Sequence, residues 1–205
     1  VSGYNLEQGF INYYMGDTST LSSCCRLRSN VNDLGYANTF GAGSTKIGSL
    51  GVVTLNLPNI AFTVKGAERA KEAFFEILED RVKDISYINR FKREFPRDRV
   101  RGGSLPLYTL GYMDLGHQYS TCGFTGLHEA LEILGYDIRN EEGLSFAKEI
   151  LGTINAVNDK MSAKWKAPHN MEQVPGETSS VKLARKDRIM GLNKDYELYS
   201  NQFIP

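Results

Sequence analysis

The chain has 205 residues and a mass of 22.9 kDa; 41% of its residues are hydrophobic and 23% charged, a globular composition that excludes a fibre or a disordered tail. Lys plus Arg is 24 and Asp plus Glu is 24, so the formal net charge is zero, which excludes the broad basic surface of a non-specific nucleic-acid binder. No apolar run approaches the roughly 20 residues of a membrane helix, so neither nucleic acid nor membrane is an expected partner.

Val1-Ser2-Gly3-Tyr4-Asn5 has neither a basic n-region nor an apolar h-region, so no signal peptide and a cytoplasmic location are expected. Without an initiator Met, the chain reads as a processed product or a piece of something longer. Residues 1–30 are polar and mixed. Tyr13-Tyr14-Met15 leads into a loop-like Gly16-Asp17-Thr18-Ser19-Thr20, then Cys24-Cys25 and Arg26-Leu27-Arg28. Gly35, Gly41, Gly43, Gly48 and Gly51 predict a flexible loop over 35–51. Gly51-Val52-Val53-Thr54-Leu55-Asn56-Leu57-Pro58 predicts a buried strand ended by proline. Apolar residues from Ala70 through Phe74, Ile77, Leu78, Val82, Ile85 and Ile88 to Phe91 alternate by threes and fours. They predict a helix from Ala67 to about Phe95, stopped by Pro96. Arg97, Arg99 and Arg101 then read as a solvated loop before Gly102-Gly103, or as a contact to phosphate or another subunit.

His117-Gln118-Tyr119-Ser120-Thr121-Cys122-Gly123-Phe124-Thr125-Gly126 predicts a second strand running into a glycine turn. Helices are expected from near Leu127 to a stop at Gly135, and from about Glu142 to Met161. Trp165 to Val174 reads as extended, and Pro175 to Val181 as a turn into a further helix. Strands alternating with helices give an α/β fold with parallel pairing, read as one segment over 1–205.

Three cysteines do not form a secreted disulfide framework, and no Cys-x-x-Cys or His-x-x-x-His spacing offers a metal site. Cys24-Cys25 lies in a polar segment beside Arg26 and Arg28, where cations favour thiolate. Ser120-Thr121-Cys122-Gly123 puts hydroxyls and a thiol at a strand-to-helix turn, or simply packs a strand end. Pro175-Gly176-Glu177-Thr178-Ser179-Ser180 is either an ordinary helix cap or an anion site, because free N–H groups and the helix dipole point outward there. His117, His128 and His169 read as structural, and Trp165 as core.

Together these blocks are more specific. Ser22-Ser23-Cys24-Cys25-Arg26-Leu27-Arg28, Phe40-Gly41-Ala42-Gly43-Ser44 and Ile47-Gly48-Ser49-Leu50-Gly51-Val52-Val53-Thr54-Leu55-Asn56-Leu57-Pro58 resemble the core of the anaerobic (class III) ribonucleoside-triphosphate reductases. Tyr119-Ser120-Thr121-Cys122-Gly123-Phe124-Thr125-Gly126-Leu127-His128-Glu129-Ala130 resembles that family's second core strand. Pro175 to Val181 resembles its phosphate-binding turn, and Tyr199-Ser200-Asn201-Gln202-Phe203-Ile204-Pro205 the start of its next strand.

The resemblance implies part of a ten-stranded glycyl-radical-enzyme β/α barrel with a central cysteine-bearing finger loop. It implies reduction of ribonucleoside triphosphates to deoxyribonucleoside triphosphates, with Cys25 as the thiyl that abstracts the 3′ hydrogen. Gly176, Glu177, Thr178, Ser179 and Ser180 are implied to hold the substrate phosphates, with Glu177 turned to base, sugar or Arg185. The glycyl radical is implied to come from a segment absent here, with no metal in this one. The regulatory N-terminal domain and the C-terminal zinc and glycyl-radical domain are also absent, so the segment alone is expected to be inactive. Expected partners are the remaining reductase segments, a radical-SAM activating enzyme and, for the complete enzyme, a second copy. Some family members carry Met two residues before the radical cysteine; here the position is Ser23. Some carry Asn where this chain has Ser49. The first departure turns the expectation from formate toward a dithiol donor, with Cys24 and Cys122 as possible redox thiols. Two alternatives are a pyruvate formate-lyase-like glycyl-radical enzyme, which also uses adjacent cysteines, and a non-catalytic reductase fragment.

Overall fold

The structure, a computed structural model, describes residues 20–22, 28–30 and 48–202. Strands β1 (Thr20–Ser22) and β2 (Arg28–Asn30) form a short antiparallel ladder with Ser22 opposite Arg28. The main sheet has the order β3-β4-β5, with β3 Gly48–Asn56, β4 Gln118–Thr125 and β5 His169–Gln173. Both pairings are parallel: Gly48 lies opposite Gln118 and Asn56 opposite Thr125, while Ser120 lies opposite His169 and Phe124 opposite Gln173. The expected α/β class with parallel pairing is what the chain forms.

Helices fill the connections. Helices α1 (Leu57–Val64) and α2 (Ala70–Arg101) follow β3, then the single turn α3 (Pro106–Thr109). Helices α4 (Leu127–Ile133) and α5 (Glu141–Trp165) follow β4, and α6 (Glu177–Ile189) follows β5. Helices α2 and α5 pack on each other and on one face of the sheet. Their apolar stripes meet Leu55, Cys122 and Phe124 there, with Phe74, Leu78 and Val82 from α2 and Phe146, Ile150 and Ile154 from α5. The Phe74, Phe75 and Phe146 rings meet edge to face, with centroids 5.6 to 6.0 Å apart. No described helix is long and apolar enough to cross a membrane.

Several boundaries differ from the sequence reading. The predicted strand starts three residues earlier, at Gly48, inside the stretch read as a glycine loop. A register shift between Ser49 and Gly51 leaves Leu50 as the extra residue of a bulge. The strand ends at Asn56, because Asn56 caps α1 by accepting from the Asn59 N–H at 3.4 Å and Pro58 suits a first helical turn. Thr20, read as loop, is the first residue of β1.

Pro96 does not stop the long helix, which runs on to Arg101. The proline removes one N–H donor, and side chains hold the helix on both sides of it. Arg93 anchors to the Gln118 and Leu115 carbonyls, and Glu94 pairs with Arg90 before the proline and with Arg97 after it. Arg97, Arg99 and Arg101 are therefore helical rather than looped. They lie in the last turns, where the dipole favours cations. The helix ends at Gly102, and Gly103 takes φ +71°. Gly135 stops α4 as expected, with φ +87°. Helix α5 extends four residues past Met161, so Trp165, read as extended, is its last residue.

Candidate active site

In a parallel sheet all strands deliver their carboxyl ends to one edge, and ligands bind beyond it. Here that edge is formed by Asn56, Thr125 and Gln173. Alternation splits the sheet into two faces. Leu55, Cys122 and Phe124 face the helices. The opposite face carries small and polar groups: Ser49 Oγ and Thr121 Oγ1 are 2.8 Å apart. Gly123 has no room for a side chain, because a Cβ there would strike Val174 and Val52 and press on Thr54. Glu172 lies opposite Gly123 in the ladder, and burial raises its carboxyl above the ordinary glutamate value.

The sequence-predicted phosphate turn stands directly past β5. Gly176 is the N-cap of α6 and no side chain caps it, so the first-turn N–H groups point outward. Ser179 Oγ donates to the Gly176 carbonyl at 2.7 Å, and a Cβ on Gly176 would run into that hydroxyl. A side chain at Gly176 would displace that hydroxyl from its bond. Ser180 is fully buried and its hydroxyl finds no partner. Glu177 and Thr178 are exposed. Exposed first-turn N–H groups beside a bare glycine are the groups an anionic oxygen would need; the Ser180 hydroxyl lies beneath them, buried and unpartnered.

Cys24 and Cys25 lie outside the described residues. Cys122 sits on the helix side of β4, 1% exposed, and burial pushes its thiol up to about 12. That environment favours packing over redox chemistry. Among the described residues no cluster of His, Cys, Asp or Glu could hold a metal ion. A cleft of about 860 Å³ opens between α4 and the end of β5, lined by Leu127, His128, Tyr136, Arg139, Gln173 and Ser200. It shares Gln173 and Ser200 with the strand-end rim.

The sequence reading missed a polar frame around this edge. Asp187 of α6 is 1% exposed and accepts from Asn56 Nδ2 at 2.7 Å, Asn59 Nδ2 at 2.7 Å and Tyr199 OH at 2.8 Å. Helix α6 begins beyond β5, yet Asp187 reaches the end of β3, past the intervening β4. The helix therefore runs across the strand ends instead of along a face. Burial first, then the bond to Asp187, raises the Tyr199 phenol. Beside it, buried Glu129 accepts from Ser200 N at 2.7 Å and Ser200 Oγ at 2.8 Å. The Ser200 carbonyl accepts from Gly126 N and Thr125 Oγ1. The only sequence signal was Asn56 before Leu57-Pro58, readable as a helix cap.

Comparison with known proteins follows the same lines. Residues 4–205 match the family model described as anaerobic ribonucleoside-triphosphate reductase. The anaerobic ribonucleotide reductase from Thermotoga maritima, solved with citrate in the active site, is 38% identical with a TM-score of 0.70, covering 78% of this chain and 30% of that one. The same enzyme in complex with dATP and CTP gives 38% identity and a TM-score of 0.71, covering 78% of this chain and 27% of that one. With dATP in its specificity site it gives 38% and 0.70, covering 78% and 28%. The chain thus spans less than a third of the length of these solved relatives. No curated protein matches it.

Proposed function

We propose, because the chain belongs to the anaerobic ribonucleoside-triphosphate reductase family, that it is the middle of a reductase catalytic barrel and serves the reduction of ribonucleoside triphosphates to deoxyribonucleoside triphosphates. The observation that carries this reading is the family match over residues 4–205, which takes in both Cys25 and the Gly176–Ser180 turn. It favours the reductase over a pyruvate formate-lyase-like enzyme.

The three parallel strands would be part of the ten-stranded barrel, with the polar face turned inward. The antiparallel pairing of β1 with β2 on either side of Cys24-Cys25 supports a finger loop that carries Cys25. A glycyl radical on another segment would supply the one-electron oxidant that draws the hydrogen atom from Cys25. Cys25 takes the ribose 3′ hydrogen and later returns it. The 2′ hydroxyl leaves as water, and a dithiol or formate supplies the two electrons. Ser23 in place of Met points to the dithiol of a separate protein donor, with Cys24 able to exchange with it as one thiol of the relay; Cys122 is buried among the helices. Gly176 N–H, Thr178, Ser179 and Ser180 hold the triphosphate, and the α6 dipole favours its charge. The radical would be installed by a radical-SAM activating enzyme, and the complete enzyme would be a homodimer.

The test uses the complete, anaerobically activated enzyme. Cys25→Ala is expected to abolish ribonucleoside-triphosphate turnover while nucleotide binding persists. Turnover that survives the substitution would overturn the assignment.

A further inference from the structure

We infer that Asp187 is a positioning residue that sets the triphosphate turn against the strand-end rim formed by β3 and α1, an inference that rests on the function proposed above. Three elements meet on this one carboxylate: Asn56 at the end of β3, Asn59 in α1 and Tyr199 in the segment after α6. Asp187 is 1% exposed, and all three donors are neutral. A buried carboxylate without a cation is costly unless its oxygens are filled. Here both are filled, Oδ1 by Asn59 and Oδ2 by Asn56 and Tyr199. The arrangement is geometrically demanding, because any shift of α6 opens a charged hydrogen bond in a dry site.

The placement gives this anchor its role. Strand β3 delivers Asn56 to the carboxyl edge of the sheet. Helix α6 opens with Gly176–Ser180. Asp187 joins the end of the one to the body of the other, so it fixes where the phosphate grip stands against the carboxyl edge of the sheet. It lies 11 residues beyond Gly176, about 16 Å along a helix. It therefore touches no substrate and acts by holding α6 in place.

Asp187→Asn keeps the volume but leaves one acceptor oxygen and turns an NH2 group toward groups that also donate. In the complete enzyme we expect KM for the ribonucleoside triphosphate to rise about tenfold, or about 1.4 kcal/mol. Glycyl-radical yield should stay unchanged and kcat should fall less than KM rises. Tyr199→Phe, which deletes one donor and no charge, should raise KM about two- to threefold, a fraction of the same effect. The exchanged pair Asn56→Asp with Asp187→Asn restores a carboxylate facing an amide across the same contact and should recover most of the affinity. A melting temperature lowered in the single variants with KM unmoved would overturn the inference, since a purely structural residue behaves that way. Thr178→Ala with Ser179→Ala separates the two readings. If that variant raises KM while Asp187→Asn does not, only the anchor fails. If it leaves KM unmoved, the phosphate assignment fails and takes the anchor with it.

Discussion

His169 shows how a partly buried titratable group is held toward its neutral form. Its Nδ1 faces the Ala167 carbonyl at 2.9 Å, which can only accept, so Nδ1 carries the proton. Nε2 is then an acceptor for the Ser86 hydroxyl at 3.1 Å, and Ser86 in turn accepts from Trp165 Nε1 at 3.0 Å. Burial, opposed by the Ala167 bond and aided by nearby Arg93, holds the imidazole below its ordinary 6.5. Below that pH the unfolded chain binds a proton that the folded chain resists, so the network stabilises fully above about pH 6.5 and progressively less as pH falls. The denaturation midpoint should therefore drop between pH 6.5 and 5.5, and the drop should shrink in His169→Gln. Cys122 makes the companion case. With its thiol at about 12 and the sulfur in the core, it should resist alkylation at pH 8 until the protein unfolds. Cys122→Ser should destabilise by roughly 1–3 kcal/mol through a buried hydroxyl, read by chemical denaturation.

At the scale of elements, α2 is the informative one. Its sequence promised an end at Pro96, and the helix instead carries the proline to Arg101. The missing donor leaves the Lys92 carbonyl without its intrahelical partner. Pro96→Ala should restore that bond and raise stability by roughly 1–2 kcal/mol, visible as a higher melting temperature. A lower one would mean that the proline is needed where it stands. Helices α4 and α5 were legible because three-and-four spacing, Gly135 and a polar start all agree with their tertiary setting. Strand β4 was legible because hydroxyl-rich and aromatic residues lead into a glycine turn. Asp187 was not legible: in Arg185-Lys186-Asp187-Arg188 it looks like one more solvated charge. Only the crossing of α6 over the strand ends, a long-range arrangement, turns it inward. Glu129 was hidden in the same way, since its partner Ser200 lies 71 residues away. The turn into α6 was legible because its pattern is local, a bare glycine followed by hydroxyls.

At the scale of the whole molecule, the main sheet is a strip with two open sides. Among the described residues β3 and β5 each pair with β4 alone. Unpaired strand edges invite pairing. In hydrogen exchange, outward-facing amides of β3 and β5 should be protected in the complete enzyme and exchange quickly in the 205-residue chain. Equal protection in both would mean that the strip is closed by something other than the remaining reductase segments. The crossing of α6 also sets an order of events during synthesis. Asn56 meets its partner only when Asp187 emerges, 131 residues later, and Tyr199 completes the cluster 12 residues after that. Strands β3, β4 and β5 can add one after another as the ribosome releases them, each beside its predecessor. The rim that defines the proposed catalytic mouth cannot close until nearly all of this segment is out. A nascent chain arrested between β5 and Asp187 would hold a formed sheet and an open mouth. The segment would thus acquire its scaffold first and the proposed phosphate grip last.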